Sequence, residues 1–177
     1  MLVKKYGEDL VEQGGLKVIT SLDLALQNFA QDAVASEVDK LTSYDVTNGA
    51  SLITNPATGE ILAMIGSKDY FDTKSEGNVN VVLSLRQPGS AIKPINYALG
   101  LMNKYTAATA FIDQKICFPN TVGKDYCPVN YDGKWHGVVQ LRYALGNSIN
   151  IPAVKMLKLN GVEAMIVTSS AMGITTF

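Results

Sequence analysis

The sequence has few arginines and no long hydrophobic run. Among its 177 residues only Arg86 and Arg142 are arginine, and the formal net charge is −1. Without a row of basic side chains to neutralise phosphates, nucleic acid is a poor candidate partner. No apolar run approaches the roughly 20 residues that cross a bilayer, and the opening segment, MLVKKYGEDLVEQGG, lacks the apolar middle of a signal peptide. We therefore expect the chain, as written, to be soluble.

Histidine and cysteine are also scarce. His136 is the only histidine and Cys117 and Cys127 are the only cysteines, so a zinc site with four such ligands is not indicated, and we expect no cofactor. The cysteines are ten residues apart in a loop-like stretch, a spacing that fits either a small disulfide loop outside the cytoplasm or two free thiols. No Gly-x-Ser-x-Gly elbow accompanies His136, so we interpret it as a loop residue rather than a member of a Ser-His-Asp triad.

The hydrophobic pattern indicates a mixture of helices and strands. A composition of 47% hydrophobic and 18% charged residues is typical of a globular domain that buries a core. Apolar spacing predicts helices at about 22–42 and 90–104, and two apolar runs around Asn55, Pro56 and Gly59 predict a hairpin in residues 49–67. The other predictions are a short strand at 14–20, a capping box formed by Thr20 and Asp23, an irregular stretch at 105–137, a short helix in 138–147, and two helices ended by Gly161 and Gly173.

The stretch RQPGSAIKPINYALG places Ser90 three residues before Lys93 at the start of the second predicted helix. Pro94 is compatible with that helix only in its first turn, which fixes the helix start near Ser90. Residues three apart on a helix are neighbours, so the lysine could take the proton of the serine hydroxyl if burial and the positive helix end lower its pKa. The backbone N–H of Ser90 could hold an oxyanion. Serine is also a common helix cap, and this alternative stays open.

A second group of candidate site residues lies downstream, in the stretch ALGNSINIPAV. Ser148 and Asn150 stand two residues apart in a turn between two predicted short helices, where both side chains can project together. The hydroxyl could relay a proton, and the amide could hold a substrate or the lysine. Either residue could instead cap the helix that contains Pro152.

With these two motifs the chain resembles the penicillin-binding proteins, serine acyltransferases of bacterial cell-wall synthesis, and most closely their bifunctional class A type. The family motifs Ser-x-x-Lys and Ser-x-Asn match residues 90–93 and 148–150. Longer stretches are similar as well: GGLKVITSLDLALQ, NPATGEILAMIGS, RQPGSAIKP and PVNYDGKWHGVVQLRYALGNSINIPAV. The resemblance favours the nucleophile over the cap. It implies an α+β fold like that of serine β-lactamases and penicillin-binding transpeptidases, with helices packed on an antiparallel sheet.

The resemblance also implies a role for each motif residue. Ser90 would attack the penultimate D-alanine carbonyl of a peptidoglycan stem peptide, and a neighbouring stem amine would then take the acyl group. Lys93 would be the base, Ser148 would relay a proton to the leaving group, and Asn150 would hold the substrate amide. β-Lactams would acylate Ser90. The parent protein would act at the extracytoplasmic face of the bacterial membrane, attached through an N-terminal anchor that this chain lacks.

The chain departs from the family pattern in its third motif. Neither Lys-Thr-Gly nor Lys-Ser-Gly occurs in the sequence. We therefore expect a fragment with impaired activity, in which 1–48 is a linker and N-terminal helix region and 49–177 is the N-terminal part of the transpeptidase domain. An incomplete sheet with open edges also predicts marginal stability.

Two alternatives to a transpeptidase follow from the same residues. A carboxypeptidase or β-lactamase on the same scaffold would use water in place of the acceptor amine, but no convincing glutamate-bearing loop is present to position that water. A catalytically inert binding module is the alternative from another class, and the missing third motif favours it. Tyr131, Asp132 and Trp135 could rim the substrate groove or could simply be packed in a loop.

Overall fold

The computed structural model describes residues 2–120 and 122–176. The chain forms two compact units, one up to Leu85 and the other from Arg86 onward. Both contain helices and antiparallel strand pairs, which confirms the α+β prediction. Within the described residues, no helix is both long enough and apolar enough to cross a bilayer.

The first unit is built on one long helix and one hairpin. Its elements are α1 (Leu2–Tyr6), α2 (Glu8–Gln13), α3 (Leu24–Lys40), β1 (Ser51–Thr54) and β2 (Ile61–Ile65). The strands pair antiparallel, as the sequence predicts, and Ala30 of α3 packs against Ala63 and Ile65 of β2. Asn55 shapes the connection, because its Oδ1 accepts a hydrogen bond from the Ala57 N–H at 3.0 Å. Helix α3 therefore covers one face of the hairpin.

Two local predictions for this unit are wrong. Residues 14–20 form no strand, because no described segment pairs with them and Ile19 is 85% exposed. The start of α3 is not a capping box of Thr20 and Asp23. Instead, Asp23 is itself the N-cap residue, and its carboxylate accepts a hydrogen bond from the Leu26 N–H at 3.0 Å.

The second unit combines four helices with one short strand pair. Its elements are a 3₁₀ turn (Gly89–Ile92), α4 (Lys93–Asn103), β3 (Ala110–Asp113), β4 (Gly137–Gln140), α5 (Leu141–Gly146), α6 (Asn150–Asn160) and α7 (Val162–Ala171). Its hydrophobic core includes Tyr97 of α4, Phe111 of β3, Leu141 of α5 and Met156 of α6. The fold thus packs the helix that follows Ser90 against the helix that follows Ser148.

The prediction that 105–137 is irregular is wrong at 110–113 and at Gly137, the first residue of β4. Residues 110–113 form β3, which pairs antiparallel with β4 so that Phe111 lies opposite Val139. The same pairing corrects the helix predicted in 138–147, since its first residues belong to β4 and α5 begins only at Leu141. The helices expected to stop at Gly161 and Gly173 end at Asn160 and Ala171, which agrees with the prediction.

Helices α4 and α6 approach closely at Gly100 of α4. A Cβ atom built on Gly100 would lie 2.5 Å from Sδ of Met156, a side chain that is fully buried. Asn96 of α4 donates to the Ala153 carbonyl at 2.8 Å, and the Asn160 amide donates to the Asn96 carbonyl at 2.7 Å. These contacts hold the two helices in one fixed arrangement.

We expect this chain to be marginally stable in isolation. Both sheets contain only two strands, so each strand has one edge without a partner among the described residues. Large apolar side chains are also exposed, including Phe71 at 84% and Leu85 at 79%. Circular dichroism should show a broad or low-temperature thermal transition, and light scattering should show association that rises with concentration. A sharp transition well above room temperature in a monomeric sample would contradict this expectation.

Candidate active site

Ser90 lies in the 3₁₀ turn that leads directly into α4. Pro94 is the second residue of α4, where its missing N–H costs no helical hydrogen bond, as the sequence predicts. Neither the turn nor α4 has a side-chain cap, and within the described residues the Ser90 hydroxyl has no hydrogen-bond partner. The capping alternative for Ser90 is therefore wrong. Its backbone N–H also has no backbone acceptor among those residues, so it is available to a ligand.

Lys93 is the first residue of α4, and its amine reaches the downstream turn. The side chain is buried, with the residue only 8% exposed. Its Nζ donates to the Ser148 carbonyl at 2.5 Å, to the Asn150 Oδ1 at 2.6 Å and to the Ser148 Oγ at 3.1 Å. All three acceptors are neutral, and no described carboxylate forms an ion pair with this lysine. The structure thus brings together three of the four predicted site residues through direct hydrogen bonds.

Burial lowers the pKa of Lys93 below its ordinary value of 10.5, because the charged amine loses solvation that neutral acceptors only partly replace. The N-terminus of α4 acts in the same direction. A neutral amine has two N–H groups and one lone pair, so one of the three contacts must change when the proton leaves. Only the Ser148 hydroxyl can reverse its hydrogen bond and donate to the amine, since carbonyl and amide oxygens cannot donate. The arrangement can therefore move a proton between Lys93 and Ser148.

The lowered pKa of Lys93 can be measured directly. Competitive acetylation across a pH series, read by mass spectrometry of peptides, should give a midpoint for Lys93 below 10.5. Because the folded state disfavours the protonated amine, the unfolded state binds more protons, and this group's contribution to stability rises as pH increases through its folded pKa. The exposed Lys74 in the same sample serves as the reference for reagent reactivity. A midpoint for Lys93 at or above 10.5 would contradict the effect of burial.

Ser148 occupies a strained backbone position between α5 and α6. Its φ is +53°, in the left-handed region that residues with a Cβ seldom adopt. Two hydrogen bonds close the turn, from the Ser148 N–H to the Leu145 carbonyl at 3.0 Å and from the Ile149 N–H to the Ala144 carbonyl at 2.9 Å. This conformation points both the carbonyl and the hydroxyl of Ser148 at the same amine.

Asn150 is the first residue of α6, and its amide is held from two sides. Its Nδ2 donates to the Val129 carbonyl at 2.7 Å, so its Oδ1 must face Lys93. Its backbone N–H donates to the Oδ1 of Asn130 at 2.9 Å. Neither Ser148 nor Asn150 caps α6, because the preceding residue, Ile149, is the N-cap and gives no side-chain hydrogen bond. The capping alternative is therefore wrong for this motif too.

A cavity of about 540 Å³ opens beside these residues. Ser90, Lys93, Asn96 and Asn150 contribute the polar part of its wall, and Tyr126 borders it. Apolar residues of α6 and α7 form much of the remainder, including Leu157 and Met165. Such a cavity, largely apolar with a few converging polar groups, is typical of a small-molecule or peptide site.

The cysteines and His136 have defined partners outside this cavity. Cys117 and Cys127 form a disulfide, the first of the two alternatives left open by their spacing. His136 lies in a loop, as predicted, but its Nδ1 is 2.6 Å from the carboxylate of the buried Asp113. Hydrogen bonding to Asp113 raises the pKa of His136 above its ordinary value. Among the described residues, no group of three or more His, Cys, Asp or Glu side chains could hold a metal ion.

Sequence reasoning missed the residues that support the site. Asp113 and Asn130 are both buried and bind each other, and Asn130 holds the start of α6. A signal for Asp113 existed, because alternation in the stretch AFID places it on the same face as Phe111. Tyr131, Asp132 and Trp135 do not line the cavity beside Ser90, so the suggestion that they rim it is not supported by the described residues; Tyr131 and Asp132 border a smaller polar pocket instead.

The comparisons with known proteins agree on one family. The family described as penicillin binding protein transpeptidase domain matches residues 49–176. Penicillin-binding protein 1B of Vibrio cholerae is 31% identical over 177 residues, which cover 98% of this chain and 22% of that protein. Penicillin-binding protein 4 of Bacillus subtilis is 38% identical over 151 residues, which cover 84% of this chain and 22% of that protein.

A solved structure matches as well. The crystal structure of penicillin-binding protein 1A from Haemophilus influenzae aligns with a TM-score of 0.66 and 29% identity, covering 72% of this chain and 19% of that one. The chain spans about a fifth of the length of the curated relatives named above. The match over residues 49–176 and the shared fold confirm the predicted family. This chain belongs to the penicillin-binding protein transpeptidase family.

Proposed function

We propose that this chain carries the nucleophile, the base and the proton relay of a peptidoglycan D,D-transpeptidase. The observation that carries the proposal is the buried Lys93 amine, which three neutral oxygens of the Ser148 and Asn150 turn hold at the wall of the cavity that Ser90 also lines. A structural lysine is usually exposed or paired with a carboxylate. A buried lysine with a lowered pKa and only neutral partners is instead suited to act as a base.

In the proposed reaction, Ser90 Oγ attacks the carbonyl carbon of the penultimate D-alanine of a stem peptide while Lys93 takes its proton. The carbonyl oxygen becomes an oxyanion, which the free backbone N–H of Ser90 can stabilise. Collapse of this intermediate breaks the peptide bond, and the leaving D-alanine amine takes a proton that passes from Lys93 through Ser148. An amine of a second stem peptide then attacks the acyl-enzyme carbonyl and gives up a proton to Lys93. The C–O bond to Ser90 breaks as the cross-link forms, and Lys93 returns that proton to Ser90 Oγ. Asn150 would hold the amide of the donor peptide.

The remaining parts of the proposal concern the whole protein. Residues 49–177 would be the N-terminal part of the transpeptidase domain, and 1–48 a linker and N-terminal helix region. The parent would work at the extracytoplasmic face of a bacterial membrane on stem peptides. β-Lactams, whose strained amide mimics the D-alanyl bond, would acylate the same serine and stay attached.

A catalytically inert binding module is the second candidate. The observation in its favour is that the sequence contains neither Lys-Thr-Gly nor Lys-Ser-Gly, the motif that in this family supplies a cation and a further oxyanion donor. Removal of one oxyanion donor slows such reactions by about 100- to 1000-fold. We therefore expect little or no covalent label when the chain alone is incubated with a fluorescent penicillin.

A chimera separates the two candidates. Residues 49–176 would replace the matching segment of the Bacillus subtilis relative, so that the rest of a transpeptidase domain is supplied. The acyl-transfer proposal expects a fluorescent penicillin to label the chimera at Ser90, located by peptide mass spectrometry. Ser90→Ala should abolish the label, and the exposed Ser170→Ala should keep it. A folded chimera that takes no label, or a label that survives Ser90→Ala, would instead support the inert module.

A further inference from the structure

Asp113 is a fully buried carboxylate at the end of β3. No lysine or arginine among the described residues pairs with it. It accepts hydrogen bonds from the Asn130 amide at 2.8 and 3.0 Å and from the His136 backbone N–H at 2.9 Å, and the His136 ring lies 2.6 Å away. A buried carboxylate is costly unless hydrogen bonds satisfy its oxygens, and these contacts with Asn130 and His136 satisfy them.

Asn130 connects Asp113 to the start of α6. The Nδ2 of Asn130 is committed to Asp113 and to the Lys134 carbonyl at 2.8 Å, which turns its Oδ1 toward α6. That oxygen accepts from the Asn150 N–H at 2.9 Å and more weakly from the Ile151 N–H at 3.4 Å. An N-cap side chain accepts hydrogen bonds from the first backbone N–H groups of a helix. The N-cap residue of α6 gives no such bond, and the side chain of Asn130 accepts from these N–H groups instead.

We propose that Asp113 is a positioning residue that acts through Asn130 to hold Asn150 against the Lys93 amine. The inference deepens the proposed function, on which it rests for its catalytic meaning. Asp113 fixes which way the Asn130 amide faces, and Asn130 fixes the first residue of α6. The Asn150 oxygen then stays 2.6 Å from Nζ of Lys93. His136 satisfies the remaining oxygen capacity of Asp113 from the loop side.

Asp113→Asn tests this relay with almost no change in shape. Nδ2 of Asn130 lies 3.0 and 2.8 Å from the two oxygens of Asp113, so the new amide places its own donor against that nitrogen and leaves it one acceptor instead of two. The hold on Asn130 is therefore weakened. Hydrogen exchange by NMR should then speed up at Asn150 and Ile151 by at least about tenfold, the change expected for loss of one hydrogen bond to a charged group. Exchange at Ile149, which bonds to the Ala144 carbonyl, should not change, and neither should exchange at the end of α6.

The reaction of Lys93 with acetic anhydride at fixed pH gives a second readout. Its rate should rise by a similar factor of about ten in Asp113→Asn, since the amine loses the acceptor that covers it. The reciprocal double variant, Asp113→Asn with Asn130→Asp, restores two contacts of the relay: the new amide donates to the new carboxylate, and a carboxylate oxygen accepts from the Asn150 N–H. It does not restore the hydrogen bond to the Lys134 carbonyl, because a carboxylate cannot donate. Both readouts should move from the values of Asp113→Asn back toward those of the wild type. A merely structural role for Asp113 would not produce this rescue.

Three outcomes would overturn the proposal: equal acceleration along all of α6 in Asp113→Asn, unchanged reactivity of Lys93, or a double variant that fails to recover. Should Asp113→Asn fail to fold, Asn130→Ala removes the acceptor of the Asn150 N–H and carries the same expectations. If the double variant does not fold, because its new carboxylate meets the Lys134 carbonyl, the exchange pattern along α6 and the reactivity of Lys93 in Asp113→Asn decide. None of these measurements involves Ser90 or an acyl donor, so they stand apart from any failure of the acyl-transfer proposal.

Discussion

Lys93→Arg in the Bacillus chimera is expected to slow acylation by penicillin by about 100- to 10,000-fold, the usual contribution of a positioned general base. Arginine stays protonated at any pH a protein tolerates, so it cannot accept the Ser90 proton. It can still donate hydrogen bonds to the oxygens of Ser148 and Asn150 that Lys93 now contacts. The variant therefore removes basicity while it keeps a cation and donors at the site.

Labelling reactions with penicillin that are quenched at successive times, followed by intact-mass spectrometry, give the acylation rate of each variant. The matched control is Lys104→Arg, an exposed lysine at the far end of the same helix, which should label at the parent rate. Lys93→Met, which removes the charge as well as the base, distinguishes the two roles. If Lys93→Arg keeps full activity while Lys93→Met loses it, the lysine serves as a charge and the proposal that it is the base is wrong.

Replacement of both Cys117 and Cys127 by alanine should lower the free energy of unfolding by about 3 kcal/mol. The bond closes a loop across ten residues of separation, and the chain-entropy relation for a loop of this size gives that magnitude. Inside the loop, Phe118 and Tyr126 exchange two backbone hydrogen bonds of 2.8 and 2.9 Å. Tyr126 borders the cavity beside Ser90, so opening the loop frees part of the cavity wall.

Urea unfolding of the oxidised chain and of the double variant, followed by circular dichroism, measures this difference. A reducing agent should lower the stability of the parent chain by about the same amount and leave the double variant unchanged, which makes the double variant its own control. Equal unfolding midpoints for the oxidised chain and the double variant would show that the crosslink contributes nothing. A double variant that is already unfolded in buffer agrees with the expectation of marginal stability.

Local signals in the sequence predicted much of the architecture. The helical spacing after Ser90, the place of Pro94 in the first turn and the reversal at Asn55 each depend on neighbouring residues only, and the structure confirms them. Strands β3 and β4 were missed because each has four residues and gains its stability from pairing across the chain, as between Phe111 and Val139. The expected strand at 14–20 failed for the same reason, since alternation alone supplies no partner.

The site was predictable in its residue types and not in its geometry. The two short motifs point to a serine, a lysine, a second serine and an asparagine. Lys93, however, contacts residues that are 55 and 57 positions away in the sequence, and local patterns do not predict such contacts. The strained φ of Ser148 and the orientation of the Asn150 amide follow from contacts that no periodicity encodes. The role of Asn130 could not be predicted from the sequence for the same reason, because it depends on where the first residue of α6 lies in space.

The close approach of Gly100 to Met156 connects the packing between α4 and α6 to the residues at the start of both helices. Lys93 and Asn150 are the first residues of α4 and α6, and Gly100 is where those helices leave no room for a side chain. A larger residue there must displace the buried end of the Met156 side chain, whose Sδ and Cε would lie 2.5 and 2.8 Å from its Cβ. On the acyl-transfer proposal, a substitution at position 100 therefore alters the surroundings of the reacting groups through packing alone and without contact with the acyl donor.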